Sequence, residues 1–139
     1  MAGRSTRSLG SMKVQPYSTV GELAFGISRE AVIGLIGAPL STSSDRHSRT
    51  ELRYPRLFVR LVAGSVVEVT ADSEVVELGD ISVPFERLAE FLRQNDASTF
   101  ETVGFVVSPA YGVAFDPAFR AWVTAFAKDE LPKWRKHAA

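Results

Sequence analysis

The chain has no cysteine among its 139 residues, only two histidines, and no apolar run long enough to cross a bilayer. Each absence removes a class of function. Without thiols there is no disulfide framework, no thiolate nucleophile and no cysteine metal cage. The histidines, His47 and His137, lack a ligand partner at helical spacing, so no metal centre is expected. A membrane span takes roughly 18 or more consecutive apolar residues, and none is present. The residues after Met12, KVQPYSTVGELAF, hold neither an apolar signal core nor a small-residue cleavage pattern. A cytoplasmic protein without a membrane partner is expected. The ten glycines are scattered and form neither a P-loop nor a GxGxxG turn, so no nucleotide cofactor is expected either.

Charge of one sign is also missing. Sixteen basic residues face 16 acidic ones, and this balance gives no reason to expect nucleic acid as a partner. Residues 1–11 (MAGRSTRSLGS) are small and polar, without periodicity, and stand directly before a second methionine. They are expected to be an appended leader. Without Arg4 and Arg7 the remaining 14 basic residues leave a net charge of about −2. Residues 12–139 are then one domain with a single core, 45% of the whole chain being hydrophobic.

What is present is a pattern of short elements. Ser18 or Thr19, with Glu22 completing a capping box, predicts a short helix over Val20 to Phe25 that ends at Gly26. Ser28 predicts the cap of a second helix, Arg29 to Ile36, closed by Gly37 and Pro39. A polar loop over Leu40 to Arg49 leads to strands at 51–54, 57–62 and 66–71. For the last two, a three-residue loop Ala63-Gly64-Ser65 sets Leu61 opposite Val67, Val59 opposite Val69 and Leu57 opposite Ala71. Arg60 then faces Glu68 on the other side. A further extended run at 74–78 stops at Gly79-Asp80.

Ser82 to Asp96 follows as the strongest helix, with Phe85, Leu88, Ala89, Phe91 and Leu92 on one stripe. Strands are expected at 102–108, 111–115 and 121–127. In the last, Trp122, Thr124 and Phe126 share one face, while Val123 and Ala125 share the other. Two partly apolar faces imply a central strand, or a face awaiting a partner. The fold class expected is therefore α+β, an antiparallel sheet with helices on one face. Its order suggests a tandem α-β-β-β pseudo-repeat in halves 18–78 and 79–127, followed by a C-terminal segment at 128–139.

The Gly26-Ile27-Ser28 entry, Val32, Leu35, the Gly37-x-Pro39 exit and the Tyr54-bearing strand before a hairpin resemble the helix-helix-β-β-β unit of the BamE/SmpA and beta-lactamase-inhibitor-protein group. The resemblance covers residues 18–71, under half of the chain. The lipoprotein cysteine of its outer-membrane members is absent. It implies a non-catalytic scaffold that binds other proteins through its sheet and loops.

Functional candidates come from charge order. Arg46, Arg49, Arg53, Arg56 and Arg60 crowd one segment, and the first four would serve as an anion-binding set. Glu68, Asp72, Glu74, Glu77 and Asp80 fill the next and would be a partner-binding tract, with Trp134 as an exposed anchor. Cross-strand pairing of the two segments, and docking of Trp134 and Leu131 on the sheet edge or the long helix, are the alternatives. His47, with Asp45 and Ser48 beside it in sequence, is a catalytic candidate only if a second group joins it from elsewhere. No catalytic residue is assigned, and an enzyme is not expected. The function expected is protein binding by an immunity or inhibitor protein that neutralises a bacterial toxin, a basic one if the acidic tract is the interface. An adaptor or assembly subunit is the second expectation. A small-ligand domain or enzyme using the arginine-rich segment is the third.

Overall fold

Local periodicity builds most of this molecule as strands. The computed structural model describes residues 11–136. The first ten residues of the expected leader and His137 lie outside them. In chain order the first elements are β1 (Ser11–Gln15), β2 (Thr19–Val20), β3 (Leu23–Ala24), α1 (Arg29–Ile36) and β4 (Ser41–Ser44). Then come β5 (Arg49–Tyr54), β6 (Leu57–Val62), β7 (Ser65–Asp72), β8 (Val75–Leu78) and β9 (Ile81–Pro84). After α2 (Phe85–Asn95) follow β10 (Phe100–Thr102), β11 (Phe105–Ser108), β12 (Val113–Phe115) and β13 (Trp122–Phe126). A 3-10 turn (Lys128–Glu130) and α3 (Leu131–Lys136) end the described chain.

Two sheets carry the fold. One has five strands in the order β3-β2-β1-β8-β9, the other eight in the order β10-β11-β12-β13-β7-β6-β5-β4. The α+β expectation is thereby corrected: the protein is mostly β, with short helices, and a second sheet stands where a helical layer was expected. The helix expected over Val20 to Phe25 is the β2–β3 hairpin. Gly21 at φ +57° makes the tight turn, and the two flanking pairs, Thr19 with Ala24 and Val20 with Leu23, close it. Ser82 to Pro84 pairs with β8 instead of opening α2. The polar loop after Leu40 contains β4, an edge strand against β5. The expected α-β-β-β order is instead a helix followed by four strands, twice over. Each four-strand run starts at an outer edge of the large sheet and ends in its centre, where β7 and β13 pair antiparallel.

The single strand expected at 102–108 is broken at Val103-Gly104, φ +42° and +90°, which turn the chain between β10 and β11; other local signals hold. Ser28 caps α1, its Oγ accepting from the Ala31 N–H at 3.1 Å, and the Gly37 N–H closes the helix on the Ile33 carbonyl. In β6–β7 the register sets Leu57 against Ala71, Val59 against Val69 and Arg60 against Glu68, as alternation predicts. The turn differs. Ala63 and Gly64, at φ +51° and +86°, form a two-residue turn, so Leu61 faces Val66, and a bulge between Arg60 and Leu61 restores the pairing beyond it.

One core joins the two sheets. The inner face of the large sheet contributes Leu52, Val59, Val69, Phe115, Val123 and Ala125. The small sheet contributes Met12, Val14, Val20, Leu23, Val76 and Leu78. Val32 of α1 and Phe85, Leu88 and Leu92 of α2 close the gap at the sides, the Phe85 ring meeting Phe115 edge-on at 5.4 Å.

Candidate functional site: the outer face of the large sheet

The other face of the large sheet holds most of the side chains with chemical potential. Strand pairing lines up one row across all eight strands: Phe100, Val107, Ala114, Thr124, Thr70, Phe58, Arg53 and Ser41. A second row joins Phe126, Glu68, Arg60, Glu51 and Ser43. At the β10–β13 end this face is apolar and covered. Leu131 and Trp134 of α3 pack on Phe126, Val107 and Ala114, and the Trp134 ring lies 5.3 Å from Phe105 and 5.8 Å from Phe126. Of the two readings of Trp134, exposed anchor or docked side chain, the docked one is observed, on the face of its own sheet, and its Nε1 is buried.

Between the covered and open parts runs a charged seam. Glu68 is only 3% exposed. One of its oxygens accepts from Lys133 at 2.7 Å, and the other meets Arg60 at 3.5 Å. Arg60 also donates to Glu51 at 2.9 Å and to the Thr70 hydroxyl at 2.8 Å, and Thr70 bonds Thr124 at 2.7 Å. Glu130, also buried, joins Lys133 and Arg49, both at 3.1 Å. Three acids meet three bases, which is the condition for holding charges in a poorly hydrated place.

Beyond the seam the face is open. Phe58 and Trp122 are half-buried against each other, ring centroids 5.5 Å apart. The guanidinium carbons of Arg53 and Arg60 both stand 5.8 Å from the Phe58 ring centre. Arg53 is exposed and enters no salt bridge among the described residues. A shallow depression of about 260 Å³ adjoins this surface, lined by Ser43, Ser44, Asp45, Arg49, Thr50, Glu51 and Arg60.

The acidic tract does not gather into one patch. Its chain leaves the large sheet at the buried Ser73 and enters the small one. Glu68 is turned into the seam and presents no free charge. Asp72 accepts twice from Arg56, at 2.9 and 3.2 Å. Glu74 accepts from Arg120 at 2.6 Å, and the same guanidinium, bonded to Glu86, holds the Glu86 carboxyl below its usual range. Glu77 stands beside Lys13 in the β1–β8 ladder, and Asp80 is exposed in the β8–β9 turn.

The arginines are dispersed too. Arg49 and Arg56 are committed to Glu130 and Asp72, and Arg46 is exposed in the β4–β5 turn. His47 is exposed in that turn, its backbone N–H bonded to Asp45 Oδ1 at 2.8 Å. This bond and the one from the Arg49 N–H hold the Asp45 carboxyl below its usual range. Among the described residues no three of His, Asp and Glu come together as metal ligands, and no helix is long and apolar enough to cross a membrane.

Sequence reasoning missed Phe58 and Trp122 as a pair. Their adjacency depends on β7 lying between β6 and β13. No family model, curated protein or solved structure matches this chain.

Proposed function

We propose that this chain is a protein-binding domain whose contact surface is the open half of the outer face, and that it works as a stoichiometric inhibitor or immunity protein. The supporting observation is the Phe58–Trp122 pair flanked by Arg53 and Arg60. Tryptophan and arginine recur among residues that dominate binding energy, and stacked rings offer large area at little entropy cost. The matching partner surface presents an apolar side chain to the two rings and a carboxylate to Arg53. A basic partner recognised by the acidic tract is a weaker proposal, because Arg60, Lys133, Arg56 and Arg120 already neutralise Glu68, Asp72 and Glu74.

The test is capture of partners from source-cell lysate by the wild type and by Trp122→Ala and Arg53→Glu, followed by titration of the captured protein. Each variant is expected to weaken a one-to-one complex by roughly 30-fold or more, equivalent to about 2 kcal/mol, with the melting temperature of free Arg53→Glu little changed and that of Trp122→Ala lowered by loss of the Phe58 contact. A complex indifferent to both substitutions puts the interface elsewhere. An adaptor would use the same face, and the identity of the captured protein separates it from a toxin inhibitor.

A further inference from the structure

On the opposite side of the large sheet, the two layers part at one end and leave a cleft of about 610 Å³. This lies within the roughly 300–1,000 Å³ typical of small-molecule sites. Its floor is the row Tyr54, Leu57 and Ala71, which faces the small sheet. Met12, Val20 and Leu23 form the opposite wall and Ile36 of α1 the side. The effect on burial is local: Leu57 and Ala71 stay partly exposed, whereas Val59 and Val69, one step further along the same two strands, are 0% exposed. Leu57 opens β6 and Ala71 stands one residue before the end of β7, so the cleft lies where these strands run out from between the sheets.

The lining selects a ligand class. The Tyr54 hydroxyl, the one polar tip on the floor, is already donated to the Gly37 carbonyl at 2.8 Å, and the Ser73 hydroxyl to the Val75 carbonyl. The charged groups lining the cleft are Lys13, Glu22, Arg56 and Asp72, two of each sign, with Arg56 and Asp72 joined at 2.9 Å. An ion of either sign would enter an apolar chamber past a mouth with no net charge, losing hydration without a partner. We infer that this cleft binds an uncharged, mainly apolar small molecule. The site is separate from the outer face and does not depend on the protein-binding reading.

The probe for the test is N-phenyl-1-naphthylamine, which is neutral and fluoresces when it leaves water. Titrated into the full chain, it is expected to bind saturably at one per molecule, to raise the melting temperature, and to respond little to salt between 0.05 and 0.5 M. Ala71→Trp, which fills the floor, is expected to weaken binding at least tenfold, and Arg56→Ala to change it less than threefold. As a measurement that needs no variant, amide shifts in the labelled wild type should move at Met12, Leu23, Leu57 and Ala71 and stay fixed at Glu51, Arg60 and Thr124. Absence of saturable binding overturns the inference, as does undiminished binding by a folded Ala71→Trp protein or a shift map centred on the outer face. A tenfold loss in Arg56→Ala overturns the uncharged class.

Discussion

The two ends of the outer face lie on one row of side chains and have opposite fates. From Phe100 to Ala114 the row is apolar and α3 covers it; from Phe58 to Ser41 it is aromatic and basic, with Phe58 half-buried and Arg53 and Ser41 exposed. Leu131 and Trp134 can desolvate only the part that has no charge to lose. Where α3 reaches the charged residues it brings Lys133, and Glu130 from the turn before it, so that each buried carboxylate meets a base. Coverage stops where the polar groups can no longer be paired from one short helix, and the uncovered remainder is the surface available to a partner.

Truncation should expose this contrast. The largest effect is expected for Phe126→Ala in the covered half. Phe126 is fully buried, and loss of a core phenylalanine costs about 3–5 kcal/mol, readable as a lower urea midpoint. Glu68→Ala at the seam is expected next, at about 2–3 kcal/mol, because it leaves Arg60 and Lys133 without their carboxylate; that figure is reduced for their partial exposure. If Glu68→Ala proves neutral, the seam is not part of what holds α3 down.

Acid provides a third probe. Asp96 follows α2 and is buried. Burial pushes its carboxyl up, but the Ser108 and Ser98 hydroxyls and the Ala110 and Ser98 backbone N–H groups more than offset this and hold it down at about 2. A depressed value means that the folded state is favoured when the group is ionised. This contribution, about 2 kcal/mol, is therefore complete above the unfolded value near 4 and is lost as pH falls toward 2. Asp96→Asn should flatten the stability profile between pH 5 and 2; an unchanged slope would assign acid unfolding to other carboxylates. The smallest effect belongs to the open half: Arg53→Ala should move stability by no more than about 0.5 kcal/mol. A larger loss in chemical denaturation would mean that this end of the face is structural after all.

How much of this was legible depended on the range of the interactions. The β6–β7 register could be read from Leu57, Val59 and Arg60 against Ala71, Val69 and Glu68 because the partners are close in sequence and one face is uniformly apolar. α1 and the body of α2 were legible from caps and the stripe through Leu88 and Leu92. The small sheet was not. Its centre pairs Met12 with Val76 and Val14 with Leu78 in parallel, a contact with no local signature. β4 hid because Ser41-Thr-Ser-Ser44 is exposed throughout and has no apolar alternation to detect. At Thr19 to Glu22 a true capping pattern competed with hairpin geometry, and tertiary pairing won. The candidate surface shared this limit: alternation groups Trp122 with Thr124 and Phe126 on one face, Phe58 carries no signal of its own, and what brings the two rings together is the junction of the two halves of the sheet.

That junction also orders events as the chain emerges from the ribosome. β7 has β6 beside it at once, yet its other edge must wait for β13, with Thr70 and Thr124 separated by 54 positions. Throughout that interval a half-built sheet shows an unsatisfied strand to everything around it, the situation in which nascent proteins aggregate. The waiting strand carries Glu68, Thr70 and Asp72 on one face, which is poor material for adhesive pairing with strangers. A variant with apolar residues at these three positions would be expected to fail during synthesis more often than after it.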